Sequence, residues 1–231
     1  MIRVEPTRII FLVEGQTEAT FVRDILTPHL QKTGINSWYS IIPTAVRDRT
    51  FRGGITSFVA QAQPVILHLL HNRNRYVTTM FDYYGLPRDF PGIALAPPHG
   101  TAYEKIRLLE SALTDTISNR LFIPYLQLHE FEALLFSDIT VLDQYMQSYG
   151  QSRIQELTRI VNDCRSPELI DDNPVTSPSK RLTTLYPSFH KRFDGNEIAK
   201  RISLDTIRER CPHFDQWLNT LEQLEPVRGN P

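Results

Sequence analysis

The chain has 231 residues, of which 41% are hydrophobic, 10% aromatic and 22% charged, the composition of an ordinary globular domain with apolar material for a core. The formal net charge of −1 excludes a molecule whose overall field attracts nucleic acid, so any grip on phosphates must come from local basic patches or from a partner. No stretch approaches the roughly 20 apolar residues that span a bilayer. Cys164 and Cys211 have neither metal-ligand spacing nor a framework of pairs. With an N-terminal apolar run of only Ile9 to Val13, the expectation is a cytoplasmic protein without a signal peptide and without a membrane role.

Residues 8–13 form a short apolar run rich in β-branched side chains, the pattern of a strand buried on both faces in a parallel sheet. Glu14-Gly15 closes it. Thr17 is placed to cap a helix reaching about His29 or Leu30, with Phe21, Val22, Ile25 and Leu26 at helical spacing. Gly34 and Asn36 interrupt the chain, and Ser37 to Val46 reads as a second strand. The loop Arg47 to Gly54 is basic. Residues 56–71 read as a helix with a kink or restart at Pro64. Tyr76 to Phe81 is a third strand ending on Asp82. A proline-rich loop, Leu86 to Pro98, precedes an amphipathic helix from Tyr103 to about Thr116. Leu121 to Leu128 reads as a fourth strand, which leads into His129-Glu130-Phe131-Glu132 and a short apolar helix to Phe136.

This alternation predicts an α/β fold with a mostly parallel, four-stranded, Rossmann-like sheet and helices on both faces. The core is expected over residues 1–140. Residues 141–231 are expected to form a C-terminal helical extension packed on it, with helices near 141–162, 196–209 and 212–224 and a loop from Ser166 to Pro187.

Functional groups of such sheets gather beyond the carboxyl ends of the strands. Glu14, Asp82 and Glu130 each follow a predicted strand directly. A carboxylate is costly to bury there unless it is paired or metal-bound. Carboxylates converging from separate elements suit a hard cation such as Mg²⁺ or Mn²⁺, which neutralises phosphate charge and activates water in phosphodiester hydrolysis. Glu132 is a further ligand candidate, although an acid in a first helical turn is also explained by the helix dipole. Glu18 fits that dipole reading better than Glu14 does. His129 is a candidate general acid or base, against the commoner role of a hydrogen-bonded structural histidine. Arg47, Arg49 and Arg52, beside Gly53-Gly54, and the pair Lys180-Arg181 are candidates for binding nucleic-acid phosphates. Arg73, Arg75, Lys191 and Arg192 read as solvated. Phosphate-binding loops, nucleophile elbows and HExxH sites are absent from the sequence.

Val13-Glu14-Gly15-Gln16-Thr17-Glu18, Met80-Phe81-Asp82-Tyr83-Tyr84-Gly85, Leu128-His129-Glu130-Phe131-Glu132-Ala133 and Pro178-Ser179-Lys180-Arg181 together resemble a bacterial domain-of-unknown-function family with a TOPRIM-like core. TOPRIM domains of topoisomerases, primases and overcoming-lysogenization-defect (OLD) nucleases carry a glutamate after the first strand and an Asp-x-Asp after a later one, and bind Mg²⁺. The resemblance matches Glu14 to that glutamate and Asp82 to the first aspartate. Tyr84 stands where the second aspartate would be, and tyrosine is a poor Mg²⁺ ligand. The resemblance implies that Glu130 or Glu132 replaces the lost acid, or that catalysis is weak or absent. It also implies an ABC/SMC-like ATPase partner in phage defence.

Two functions compete. One is a Mg²⁺-dependent nuclease acting on nucleic acid, DNA in preference to RNA. The other is a non-catalytic TOPRIM-like module that binds an ATPase partner or senses a ligand. Nucleotidyl transfer shares the same metal site, and a homodimer is compatible with either reading.

Overall fold

The computed structural model describes residues 6–43, 54–97, 99–170 and 176–227. The predicted strands and helices alternate as expected in the first half. Strand β1 spans Thr7–Val13, β2 spans Ile35–Ile41 and β3 spans Tyr76–Asp82. Short strands β4 (Phe122–Ile123) and β5 (Leu126–Gln127) follow. The sheet order is β2-β1-β3-β4, with β5 also pairing β3. β1 is parallel to β2 and β3, and β3 is parallel to β4. Ile9 to Val13 are fully or almost fully buried, as a central parallel strand requires.

Two compact units make up the chain. The first comprises residues 1–81, 85–126 and 220–231; the second comprises 82–84 and 127–219. This partition differs from the sequence expectation of a division at 140. The returning C-terminal residues explain part of that difference: Thr7 Oγ1 donates to the Leu224 carbonyl and Tyr76 Oη to that of Glu225.

In the first unit the stretch after Glu14 is helical from Gln16 to Lys32. It consists of α1 (Gln16–Phe21), a wider π turn (Val22–Leu26) and α2 (Thr27–Lys32). Residues Phe58–Ala62 form a second π turn before α3 (Gln63–His71). Pro28 and Pro64 each occupy the second position after a π turn. A proline lacks the N–H that would continue an α-helical ladder, and the widened turn absorbs the missing bond. The restart expected at Pro64 is therefore present. Helix α4 (Ala102–Ile117) starts with Thr101 and Glu104 in a reciprocal capping box. Right-handed crossovers place α1 and α2 on one face of the sheet and α3 and α4 on the other. Consistent with this, α1 and α2 lie against β2, while α3 contacts α4.

Several expectations change. Asn36 lies inside β2, and only Gly34, with φ of 82°, makes the turn before it. Leu121 to Leu128 is not one strand. Pro124 cannot donate to a ladder, and the chain breaks there into β4 and β5. The Thr79 hydroxyl repairs the gap, donating to the Tyr125 carbonyl at 2.9 Å and accepting from the Tyr125 N–H at 2.9 Å.

The second unit is helical, but its segments differ from those expected. The 141–162 stretch is α5 (Ile139–Met146) and α6 (Ile154–Asn162), interrupted near Gly150. The proline-rich stretch from Ser166 contains α7 (Pro178–Leu185), because proline at a first helical position needs no N–H and already has a helical φ. Helices α8 (Lys191–Ile202), α9 (Leu204–Arg210) and α10 (Pro212–Glu222) complete the chain's described elements. Among the described residues, no helix is long and apolar enough to cross a membrane.

Candidate functional site

Glu14 and Glu18 divide the roles available at the end of β1. Glu18 reaches back to the Gly15 N–H at 3.0 Å, the helix-start role expected of it. The Glu14 carboxylate lies instead against Gly54, where an added Cβ would sit 3.4 Å from Glu14 Oε2. Gly54 has a φ of 119°, a conformation that side-chain-bearing residues avoid. The first-unit acid thus lies beside Gly54. Arg47, Arg49 and Arg52, the phosphate-binding candidates of that loop, lie outside the described residues.

Within the second unit, the short segment after β3 and the segment after β5 are tied together. Asp82 Oδ1 accepts from the Phe131 N–H at 3.0 Å, and the Tyr84 N–H donates to the His129 carbonyl at 3.0 Å. His129 is buried and its φ is 61°, the left-handed region, in which histidine is tolerated better than most residues. This backbone kink turns the chain into Glu130 and the 3₁₀ segment Phe131–Ser137.

Glu130 and Glu132 each meet the start of a different helix. Glu130 is buried. Its Oε2 accepts from the Ser179 N–H at 2.9 Å, and its Oε1 from Ser179 Oγ at 3.2 Å, in the first turn of α7. Glu132 is 2% exposed, and its Oε1 lies 3.1 Å from Lys191 Nζ, at the first residue of α8. Glu132 Oε2 is buried without a hydrogen-bond partner. Burial raises the Glu132 carboxyl above the ordinary range; Lys191 opposes the rise and Glu130 adds to it.

Lys191 ties the carboxylates together electrostatically. Burial depresses its ammonium, yet Glu132, Glu130 and Asp82 together outweigh that effect and raise it above its ordinary value. Three acids from two segments therefore act on one cation. The sequence pattern places Lys191 on a solvated face, and nothing local marks it otherwise, because its acid partners lie about sixty or more positions away along the chain.

Of the predicted phosphate ligands, Lys180 is exposed on α7, whereas Arg181 is half-buried and its Nε donates to the Thr176 carbonyl at 2.6 Å. A cavity of about 180 Å³ in the second unit is lined by residues including Tyr149, Arg153 and Tyr186; none of the candidate acids lines it.

The donor chemistry of Asp82, Glu130 and Glu132, all hard carboxylate oxygens with one left over on Glu132, suits Mg²⁺ or Mn²⁺. Even so, among the described residues no group of three or more His, Cys, Asp or Glu side chains is arranged to hold a metal ion. The acids meet protein donors instead: the Phe131 N–H, the two groups of Ser179 and the Lys191 ammonium.

Solved structures similar to this chain include the C-terminal regions of two OLD proteins. That of Xanthomonas campestris pv. campestris is 19% identical with a TM-score of 0.44, covering 93% of this chain and 95% of that one. That of Burkholderia pseudomallei is 20% identical with a TM-score of 0.42, covering 94% and 99%. No curated protein sequence matches the chain. The family model described as a domain of unknown function, DUF4276, matches residues 13–222, and the chain belongs to that family.

Proposed function

We propose that this protein is a Mg²⁺- or Mn²⁺-dependent nuclease of the TOPRIM type, whose acids include Asp82, Glu130 and Glu132. The observation that carries the reading is the buried Glu132, whose Oε1 lies 3.1 Å from Lys191 Nζ while its Oε2 is enclosed without a hydrogen-bond partner, two residues from the buried Glu130. Lys191 balances one of these carboxylate charges, and such a concentration of acids at the ends of separate segments is costly unless a further cation balances the rest. A bound divalent ion would supply phosphate charge neutralisation and an activated water.

The chain's own groups have separable tasks. The Phe131 N–H orients Asp82, and Ser179 orients Glu130. Lys191, once exchanged from Glu132, would offer its ammonium to a phosphate oxygen. Lys180 would add an exposed positive charge for the nucleic-acid backbone. Glu14, directly after β1, is proposed as a further required acid. A nuclease of net charge −1 would draw much of its hold on DNA from a partner, and an ABC/SMC-like ATPase in phage defence is the partner proposed. The test is nicking of plasmid DNA with Mg²⁺ or Mn²⁺, with and without such an ATPase. Asp82→Ala, Glu130→Ala and Glu14→Ala should each lose at least about a hundredfold in rate, a scale typical of removing a metal-site group. Cleavage at the wild-type rate by these variants would overturn the assignment.

A second reading rests on Tyr84, a half-exposed phenol where TOPRIM enzymes carry an acid. It makes the domain a non-catalytic module that binds the ATPase or senses a ligand. That reading expects no divalent-ion effect on melting. A Mg²⁺-induced rise in Tm that disappears in Asp82→Ala would exclude it.

A further inference from the structure

Two carboxylates of the second unit fix the walls of its cavity of about 180 Å³, which Tyr149, Gly150, Arg153, Leu185, Tyr186 and Pro187 help to line. Asp143 is buried and accepts from the Tyr186 phenol at 2.6 Å, the Ser152 hydroxyl at 2.7 Å and the Arg153 N–H at 2.7 Å. Asp194 is also buried. Its Oδ1 accepts from the Tyr145 and Tyr149 phenols at 2.9 and 3.5 Å, and its Oδ2 from the His190 N–H at 2.7 Å. The tyrosine hydroxyls therefore turn inward onto charged acceptors, which hold them more firmly than neutral ones would. The cavity keeps its shape through the protein's own bonds, before any ligand arrives.

What these walls present to solvent is aromatic and cationic. Tyr149 is 53% exposed, and Phe193, which precedes Asp194 on α8, is 75% exposed. The Tyr145 and Tyr149 rings lie 6.1 Å apart, and the Arg201 guanidinium stands 4.7 Å over the Tyr145 ring. Arg153 is exposed at the cavity, where its Nη1 meets Glu156 at 3.3 Å. Lys200, beside Arg201, meets Glu197 at 3.0 Å. Ion pairs this exposed contribute little, so both cations can turn to a ligand's anion. A lone exposed aromatic side chain is ordinary. Two of them around one buried carboxylate, among arginines, form the combination that stacks unpaired bases and neutralises their phosphates.

We propose that this surface binds single-stranded nucleic acid, with one unpaired base in the cavity beside Tyr149, a second base on Phe193, and the strand's phosphates on Arg153 and Arg201. The cavity is smaller than the roughly 300 Å³ at which pockets begin to enclose drug-sized ligands, a size that suits one flat ring system. Bases inside a duplex cannot use it, because their faces are already stacked on their neighbours. Lys191 and Phe193 share the first turn of α8, so a strand held on Phe193 lies next to the ammonium that meets Glu132. The inference rests on the nuclease reading only in taking nucleic acid as the ligand.

The experiment is fluorescence anisotropy of the full chain in EDTA, with labelled oligothymidylate and oligouridylate of about 15 nucleotides, the upper end of what a single binding fold covers, and a DNA duplex of the same length. The tighter of the two single strands identifies the natural one, and it should bind at least about tenfold more tightly than the duplex. Tyr149→Ala and Phe193→Ala should each weaken that binding at least about fivefold, the lower end of what one stacked base contributes, while Tyr149→Phe and Phe193→Trp keep the ring and stay near wild type. Arg153→Gln should weaken binding and flatten its salt dependence. Phe193 is so exposed that its replacement spares the core, and its variants decide the point even if Tyr149→Ala disturbs Asp194. Wild type that binds neither strand up to about 100 µM, the weak end of ordinary nucleic-acid binding, would overturn the inference. So would a duplex bound as tightly as the single strands, or Phe193→Ala binding like wild type. Because EDTA removes the metal, binding is read apart from cleavage. A protein that binds single strands in this way but nicks nothing keeps this surface and loses the nuclease reading. One that nicks DNA while the alanine variants bind like wild type loses this surface instead.

Discussion

Lys191 Nζ lies 3.1 Å from Glu132 Oε1, and this pair joins the first turn of α8 to the 3₁₀ segment after β5. The two ends differ in environment, since Glu132 is almost fully enclosed while the lysine side chain is 46% exposed. A charge buried at one end and solvated at the other gains its stability from the buried partner's need for compensation.

Replacing Lys191 with methionine should therefore destabilise the protein by about 1–3 kcal/mol, less than for a fully buried pair because water reaches the ammonium. The double variant Lys191→Met, Glu132→Gln should recover most of the loss, since it removes the stranded charge too. Urea unfolding of the four proteins of the cycle measures this coupling. A coupling near zero would show that the pair contributes nothing to stability.

Glu132 also predicts a pH dependence with a definite sign. Its folded carboxyl lies above the ordinary value of 4.5, so the folded state binds its proton more tightly than the unfolded chain does. This contribution favours folding at low pH and is lost as pH rises from about 4.5 through the folded value. Glu132→Gln should remove that part of the slope in a pH series of unfolding free energies. Lys191 acts at the other extreme: raised above 10.5, it stabilises fully below that pH and its contribution fades above it.

Asp143 carries the opposite sign on the acid side. The carboxylate is buried and accepts from Tyr186 Oη at 2.6 Å, Ser152 Oγ at 2.7 Å, the Arg153 N–H at 2.7 Å and Gln147 Nε2 at 2.7 Å. Burial alone would raise it; the four donors reverse the effect and hold it below 3.8. Its stabilisation is present above about pH 3.8 and is lost as pH falls through the lower folded value. Asp143→Asn should cost about 1–3 kcal/mol at neutral pH and shift acid unfolding of the helical part to higher pH, followed by far-UV circular dichroism.

The legibility of this fold in its sequence follows the range of the interactions. The β1 run and the Thr101–Glu104 cap are local patterns, and both are readable. So is the restart at Pro64. The positions of Glu14, Asp82 and Glu130 at segment ends are readable for the same reason. What each carboxylate touches is not, because Ser179 and Lys191 lie far along the chain from the acids they meet. The helix α7 is hidden by proline and serine, which mark loops in general but are at home in a first helical turn.

The break between β4 and β5 supplies the sharpest test of a compensation that local patterns do not reveal. Thr79 is fully buried in β3, and its hydroxyl both donates to and accepts from the Tyr125 backbone. Tyr125 is itself completely enclosed, so water cannot take over those bonds. Thr79→Val keeps the shape and the β-branched preference for a strand but leaves a buried N–H and a buried C=O without this partner. The expected loss is about 2–4 kcal/mol, well above the cost of an isosteric change on an exposed strand, while Thr79→Ser should retain most of the stability because it keeps the hydroxyl. Thermal and urea unfolding of the two variants decide the point: equal losses would mean that volume, not the hydroxyl bridge, holds Tyr125 in place.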